Sequence, residues 1–159
     1  MATKPGWSGR FYEDFEVGDV YEHPLGRTIL AADNTWFSLL TNNPHDVHSN
    51  ADYASRTEFG RPLVVSPLTL AIVTGLSVED VSRNAVANLG WDAVRLSAPV
   101  FAGDTIYAES EVLEVRPSKS RPTQGIVRVR TRGFNQDGTT IMEFERAVLV
   151  YTRAGRPGA

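Results

Sequence analysis

Residues 63–78 have the sequence LVVSPLTLAIVTGLSV. Apolar residues fall on nearly every side of a helix that begins near Ser66, where Pro67 suits the first turn. We therefore expect this helix to be buried. Gly75 lowers the helix propensity, and its presence predicts close packing against a neighbouring element. The segment predicts a fold built around a central helix.

The chain downstream of Asn88 changes to a period of two. The segments 89–100, 106–112, 126–134 and 141–151 are predicted as strands, with turns at residues 101–104 and 135–138. Consecutive antiparallel strands that follow a buried helix predict an α+β fold. Its curved antiparallel sheet would wrap around the helix.

The upstream part of the chain predicts short elements. Residues 15–29 contain a turn that leads into a first strand, and Ala31–Leu40 is predicted as a helix capped by Asp33 or Asn34. The apolar stripe of this helix consists of Trp36, Phe37, Leu39 and Leu40. Asn50 is suited to cap a short helix that runs through Arg56.

Length and composition describe an ordinary globular protein. The 159 residues carry a net charge of −3 and no cysteine. We expect one domain at 11–152, with a flexible lead at 1–10 and a flexible tail at 153–159. The charge gives no case for a nucleic-acid partner, and no apolar run reaches the roughly 18 residues that span a membrane. Disulfides and Cys-based zinc sites are excluded, and a cytoplasmic location is expected.

The loop at residues 43–48, NPHDVH, contains two of the three histidines beside a carboxamide and a carboxylate. It leads towards the central helix, and loops on a rigid scaffold often carry catalytic residues. This pattern predicts an active site. One alternative is a hydrogen-bonded structural histidine. Another is a metal site formed by His45, Asp46 and His48, but no third distant ligand is evident, because His23 lies in a predicted strand.

Three motifs in order resemble the MaoC-like (R)-specific enoyl-CoA hydratases, which have the hot-dog fold. The motifs are His48 followed by Ala54, TEFGRPLV at 57–64, and PVFAGDT at 99–105. The resemblance covers roughly residues 15–150. The segments NLGWD at 88–92 and SKSRP at 118–122 are most similar to the branch that acts on mesaconyl-CoA and itaconyl-CoA.

The resemblance implies a hydro-lyase that adds water reversibly to an enoyl-CoA, with an acyl chain that is short and branched or C5 dicarboxylic. His48 matches the catalytic histidine of the family, whereas Asn43 stands where the family has aspartate. Asparagine can orient water but cannot exchange a proton near neutral pH. Either His48 acts alone, or Asp46 or His45 assists it. A turn-capping role for Asn43 is equally open.

The resemblance also implies an oxyanion donor at the start of the central helix. The matching group is the backbone N–H of Ser66, where a helix N-terminus favours developing negative charge. A helix hydroxyl that helps to set the site matches Thr74. A hydrogen bond from Thr74 to its own helix is the alternative.

Basic residues are expected to meet the anionic parts of the substrate. Arg116, Lys119 and Arg121 are candidates for the CoA phosphates, with a solvated loop as the alternative. Arg61 and Arg95 are candidates for a distal carboxylate of the acyl group. No metal or redox cofactor is implied, since CoA belongs to the substrate. The family pairs units edge to edge, so we expect a homodimer or a dimer-based oligomer.

Two other functions stay open at this point. A hot-dog acyl-CoA thioesterase would use a carboxylate to activate water, and Glu58 or Asp46 would have to serve. A non-catalytic acyl-CoA-binding subunit is the second alternative, and Asn43 is the residue that keeps it open.

Overall fold

The computed structural model describes residues 2–157, in which the strands form a six-stranded antiparallel sheet. The sheet has the order β1-β4-β5-β6-β3, and β2 pairs beside β1 on β4. The strands are β1 (Val20–Glu22), β2 (Arg27–Thr28), β3 (Ala85–Leu96), β4 (Thr105–Pro117), β5 (Gln124–Phe134) and β6 (Thr140–Tyr151). The α-helices are α1 (Ala31–Leu40), α2 (Asp46–Ser49), α3 (Ala51–Ser55) and α4 (Ser66–Leu76). Short 3₁₀ segments lie at Tyr12–Asp14 and Arg153–Gly155, and a π-helical segment follows α4 at Val78–Ser82.

The predicted α+β architecture is confirmed, because α4 packs on the inner face of the sheet. Leu68 and Val73 of α4 contact a buried cluster that includes Ile106 of β4 and Phe144 of β6. The turn at 135–138 forms as predicted, with Gly138 in the left-handed region at φ 77°. Strand β3 begins four residues earlier than predicted.

A polar layer crosses the inner face of the sheet between two apolar clusters. Ser110 of β4 pairs with Thr131 of β5, and the side chain of Arg146 on β6 lies near them with 1% exposure. Side chains on one side of this layer pack with α4, and those on the other side pack around Val81 and Val127. The layer is remote in sequence from the His48 loop and places polar groups in the middle of the core.

Helix α4 is less buried than its composition predicts. It begins at Ser66 as expected, but Pro67, Ala71 and Gly75 form an exposed face along it. The predicted close packing at Gly75 is wrong, since a Cβ placed there would meet no other atom within 4 Å. The apolar residues of the opposite faces are sufficient to hold the helix against the sheet.

Helix α1 also faces opposite to simple expectation. Most of its apolar stripe is exposed, with Trp36 66% and Leu40 79% accessible, and only Phe37 of the stripe packs on the core, whereas Asn34 and Ser38 form the buried face. Neither predicted cap residue occupies the N-cap, which is Leu30; the Asp33 carboxylate instead accepts a hydrogen bond from the Leu30 N–H at 2.8 Å. The buried polar face has a specific function in the loop that follows.

Contacts continue beyond the predicted domain limits of 11 and 152, which stay a prediction. The indole N–H of Trp7 donates to the Glu79 carbonyl oxygen at 3.3 Å, and Arg10 pairs with Asp80 at 2.6 Å. The backbone N–H of Arg153 donates to the Glu13 carboxylate. Within the described part of the chain, no helix is both long enough and apolar enough to cross a membrane.

Candidate active site

The segment between α1 and α4 is anchored at the end of the sheet where β4 begins. Asn50 caps α3 as predicted, by accepting a hydrogen bond from the Tyr53 N–H. The N–H of Leu63 donates to the Val47 carbonyl oxygen, and Leu63 forms an isolated bridge with Phe101 just before β4. These contacts hold the loop that carries His48 against the sheet.

The hydrogen bonds of His48 fix its tautomer. Its Nδ1 lies 2.8 Å from the Leu63 carbonyl oxygen. Because a carbonyl oxygen only accepts, Nδ1 carries the hydrogen, and Nε2 of the neutral ring holds a free lone pair. Among residues 2–157 no group hydrogen bonds to Nε2. The half-buried ring is therefore prepared to accept a proton.

His48 borders a cavity of about 240 Å³. The other residues around it are Ala31, Asn34, Thr35, Ser49, Arg61, Pro62 and Ala102. The guanidinium of Arg61 stacks on Phe101, with its Cζ 4.0 Å from the ring centroid. A cation and a basic imidazole nitrogen thus share one small space, which suits an anionic substrate.

Ser66 borders a second, mostly apolar cavity of about 270 Å³. Its apolar lining includes Phe59, Leu63, Val64, Leu96, Pro99 and Ile141, and the polar members are Ser66, Thr69 and Ser97. At the start of α4, Pro67 has no N–H and the Leu68 N–H donates to the Val65 carbonyl oxygen at 2.9 Å, so among the described residues the N–H of Ser66 is the one left without an acceptor. Residues 61–64 contribute to both cavities, since Arg61 and Pro62 border that of His48 and Leu63 and Val64 border this one, so one segment carries both halves of the predicted site.

The other predicted members of the loop have structural contacts. The Oδ1 of Asn43 accepts a hydrogen bond from the His45 N–H at 3.1 Å, which is the turn-capping role. The Nδ1 of His45 accepts from the Val47 N–H and caps α2. Asp46 is exposed and its nearest side-chain partner is Asn50, at 3.4 Å, rather than His48. Glu58 is also exposed.

The remaining predicted residues are not brought to His48 within this chain. Arg116, Lys119 and Arg121 lie at the far end of β4, whose 13 residues extend for up to about 40 Å. Arg95 lies on β3 beside Arg130 and Glu143. The hydroxyl of Thr74 is buried without a hydrogen-bond partner among the described residues, so the predicted bond to its own helix is not formed.

Asn34 is the important residue that the sequence did not reveal. Its side chain is 4% exposed and hydrogen bonds to His48, Leu63 and Val65. The one available signal was a carboxamide in the first half of a helix that also carries Asp33, Thr35 and Ser38. From residue preferences at helix ends alone, Asn34 was predicted to be a cap.

His23 is held in a buried network away from the loop. Its Nδ1 lies 2.8 Å from Asp80, and its Nε2 lies 2.9 Å from the hydroxyl of Ser110. Burial lowers the pKa of His23, and the hydrogen bond and charge of Asp80 oppose this without overcoming it. Burial alone would raise the pKa of Asp80, but hydrogen bonds from His23 and Arg10 together hold it below its ordinary value.

Metal-ligating side chains do not cluster. Among residues 2–157, no group of three or more His, Asp or Glu side chains lies in an arrangement that could hold a metal ion. His23 cannot join the loop histidines, since both of its ring nitrogens are engaged elsewhere.

Comparison with known families identifies the family of this chain. A family model described as mesaconyl-CoA hydratase matches residues 3–156. The chain belongs to the mesaconyl-CoA hydratase family. The match spans nearly the whole chain and includes the His48 loop, α4 and the sheet.

Two relatives of this mesaconyl-CoA hydratase family member are longer proteins. A mesaconyl-CoA hydratase of Cereibacter sphaeroides is 36% identical over 92% of this chain and 42% of its own length. A beta-methylmalyl-CoA dehydratase of Chloroflexus aurantiacus is 35% identical over 91% of this chain and 41% of its own length. The chain therefore spans about two fifths of the length of these two curated relatives.

Solved structures confirm the hot-dog fold. A protein described as a MaoC domain dehydratase of Chloroflexus aurantiacus superimposes with a TM-score of 0.90 at 33% identity, over 99% of this chain and 44% of that chain. A Mycobacterium tuberculosis protein described as a double hot-dog fold gives a TM-score of 0.84 over 96% of this chain and 47% of that one. Its identity of 22% supports the fold alone.

Proposed function

We propose that this chain is a catalytic hot-dog unit that adds water reversibly across the double bond of an enoyl-CoA thioester. The observation that carries the proposal is His48, whose Nδ1–H donates to the Leu63 carbonyl, whose Nε2 has no partner among the described residues, and which borders a cavity. The family and its named relatives support the same reaction.

The reaction assigns a role to each group at the site. His48 Nε2 takes a proton from water as the water oxygen attacks Cβ, and the electron pair moves to the thioester oxygen. The N–H of Ser66 stabilises that oxyanion at the start of α4. The protonated His48 then returns the proton to Cα. Asn43 orients the water with the hydrogen-bonding capacity that the turn leaves free, and neither Asp46 nor His45 is needed as a second base.

The acyl group is a short, branched C5 dicarboxylic chain of the mesaconyl type. The cavity at Ser66 is slightly smaller than the roughly 300–1,000 Å³ of drug-sized ligand pockets, which favours a short chain. In a mesaconyl thioester the second carboxylate is bonded to the carbon that water attacks, so its binding group must lie beside the base. Arg61 borders the cavity of His48 and meets this requirement.

A second hot-dog unit completes the enzyme, supplied by a second copy of this chain or by another hot-dog chain. Strand β3 pairs with β6 on one side, its other edge pairs with no strand of residues 2–157, and its side chains Leu89, Trp91 and Leu96 are exposed. A long unpaired edge is a pairing site. The relatives from Cereibacter sphaeroides and Chloroflexus aurantiacus match this chain over only part of their length, which agrees with an additional unit.

The test is turnover of mesaconyl-, itaconyl- and crotonyl-CoA, followed by the absorbance of the conjugated double bond. We expect mesaconyl-CoA to be the best substrate. Arg61→Gln lowers its kcat/KM by about 10- to 100-fold, because a carboxylate hydrogen bond to a charged group is lost, and leaves crotonyl-CoA nearly unchanged. Arg95→Gln is the matched control and retains full selectivity.

The same assay detects the other functions. Release of free CoA without loss of the double bond would contradict the hydratase and support a thioesterase. Binding of every thioester without turnover would instead support a non-catalytic subunit. An equal loss of crotonyl-CoA turnover in Arg61→Gln would exclude Arg61 as the carboxylate ligand.

A further inference from the structure

Asn34 is a buried polar residue with an unusual set of partners. It lies in the middle of α1 and is 4% exposed. Its Nδ2 donates to the carbonyl oxygens of His48, at 2.8 Å, and Leu63, at 3.1 Å. Its Oδ1 accepts from the Val65 N–H at 2.9 Å. Three backbone groups from distant parts of the chain therefore meet on one carboxamide.

The orientation of this carboxamide is unambiguous. The carbonyl oxygens of His48 and Leu63 can only accept, and the N–H of Val65 can only donate. A rotation of the amide by 180° would break all of these hydrogen bonds. Asn34 is thus matched to its partners by chemistry as well as by shape.

The partners are the supports of both halves of the site. The Leu63 carbonyl that Asn34 holds is also the acceptor for His48 Nδ1–H, so it sets the tautomer of the base. Val65 is the N-cap of α4 and directly precedes Ser66. The Asn34 side chain therefore links the backbone of His48, the Leu63 carbonyl that accepts from the His48 ring, and Val65, which precedes the proposed oxyanion donor.

We propose that Asn34 is a positioning residue that fixes His48 Nε2 relative to the N–H of Ser66. The inference rests on the proposed hydratase function for its catalytic consequence, and on the hydrogen bonds alone for its structural part. Displacement of a catalytic group by about 1 Å can cost on the order of 100-fold in rate. Loss of Asn34 therefore acts on kcat more than on KM.

The test uses Asn34→Asp and Asn34→Leu in the full chain. Asn34→Asp keeps the shape and the acceptor for Val65, but it cannot donate to His48 and Leu63 when ionised. Asn34→Leu removes every hydrogen bond at similar volume. Ser38→Ala is the matched control, because Ser38 lies one turn further on the same buried face and its hydroxyl has no partner among the described residues.

We expect both Asn34 variants to lose about 10- to 100-fold in kcat with KM changed less than about threefold, and Ser38→Ala to remain close to wild type. In parallel, ¹⁵N NMR of the histidine rings reports the tautomer without any substrate. Wild-type His48 is expected as the Nδ1–H form, and Asn34→Leu as a mixture of both tautomers.

The two readouts separate the possible failures. If wild type turns over no thioester but the tautomer of His48 still depends on Asn34, the proposed function fails and the positioning role stands. If folded Asn34 variants keep both the wild-type kcat and the wild-type tautomer, the positioning role is wrong. It is also wrong if Ser38→Ala loses as much kcat as Asn34→Leu, since the effect would then be general packing of α1.

Discussion

His48 and His23 differ in what their ring nitrogens contact. His48 donates from one ring nitrogen to a backbone carbonyl, its other nitrogen has no partner among the described residues, and the residue borders a cavity. The side chain of His23 is fully buried, and both of its nitrogens are occupied, by Asp80 and Ser110. The first ring is free to exchange a proton, and the second is part of the core.

Residue type alone is therefore a poor guide to the chemical role of a side chain. Asp80, His23 and Ser110 are the residue types of a nucleophilic triad, at hydrogen-bond distances from one another. Ser110, however, is 0% exposed and also bonds to Thr131 at 2.8 Å. No substrate reaches that hydroxyl, so the network stabilises the fold. Free lone pairs and access decide which histidine is available for proton transfer.

Removal of the base gives the largest expected effect. We expect His48→Ala to lower kcat about 1,000-fold, because general acid–base catalysis contributes roughly 10²–10⁴-fold. Its melting temperature changes little, since the ring is half-buried. Enoyl-CoA hydration assays and thermal unfolding of the same preparation measure the two quantities.

His45→Asn is the matched control for this substitution. It keeps an acceptor for the Val47 N–H at the start of α2, so it retains activity within a few-fold of wild type. Equal losses in His45→Asn and His48→Ala would show that the base is not assigned correctly.

His23→Leu gives the opposite result and comes next in size. It leaves the Asp80 carboxylate and the Ser110 hydroxyl without their buried partner, which costs about 3 kcal/mol in the free energy of unfolding. The kcat of the folded fraction stays at the wild-type value. Urea unfolding followed by circular dichroism gives the first quantity. A loss of kcat without loss of stability would reverse the assignment of the two histidines.

His23 makes the free energy of unfolding of the wild type decrease as the pH is lowered. Burial holds the folded-state pKa of His23 below the ordinary value of 6.5. Asp80 opposes this shift, and the positive charges of Arg146 and Arg10 add to it. The unfolded chain therefore binds a proton that the folded chain does not, and the free energy of unfolding decreases as pH falls through 6.5 towards the folded-state pKa. Urea unfolding between pH 8 and 5 measures this decrease. In His23→Leu the slope flattens, whereas a wild type that gains stability on acidification would contradict the assignment.

Local chemistry explains what the sequence predicted well. The start of α4 depends on Pro67, the cap of α3 on Asn50, and the turn after β5 on Gly138. Each signal acts within a few residues of its effect. The motif that contains His48 is also short, and the assignment of His48 as the base stays a prediction.

Long-range contacts explain what the sequence could not predict. The partners of Asn34 lie 14, 29 and 31 residues away, so no local pattern contains them. Arg116 and its neighbours in sequence were grouped with the site by charge, but the direction of β4 carries them to its far end. The exposed stripe of α1 has the periodicity of a buried face, and periodicity alone does not distinguish the two.

Arg10→Gln gives the smallest expected effect. It tests the network of His23 and Asp80 at its outer member, Arg10. Arg10 pairs with Asp80 at 2.6 Å and stacks over Tyr21 at 3.8 Å. When Arg10 is replaced, Asp80 keeps its contact with His23. We expect a cost of about 1 kcal/mol in the free energy of unfolding. Arg83→Gln is the control, because its exposed pair with Glu79 contributes less than about 0.5 kcal/mol. The pKa of Asp80 rises once Arg10 no longer donates to it, so acid unfolding of Arg10→Gln begins at a higher pH than in wild type. If Arg10→Gln costs as much as His23→Leu, the network depends on its exposed end, and burial does not explain why His23 is structural.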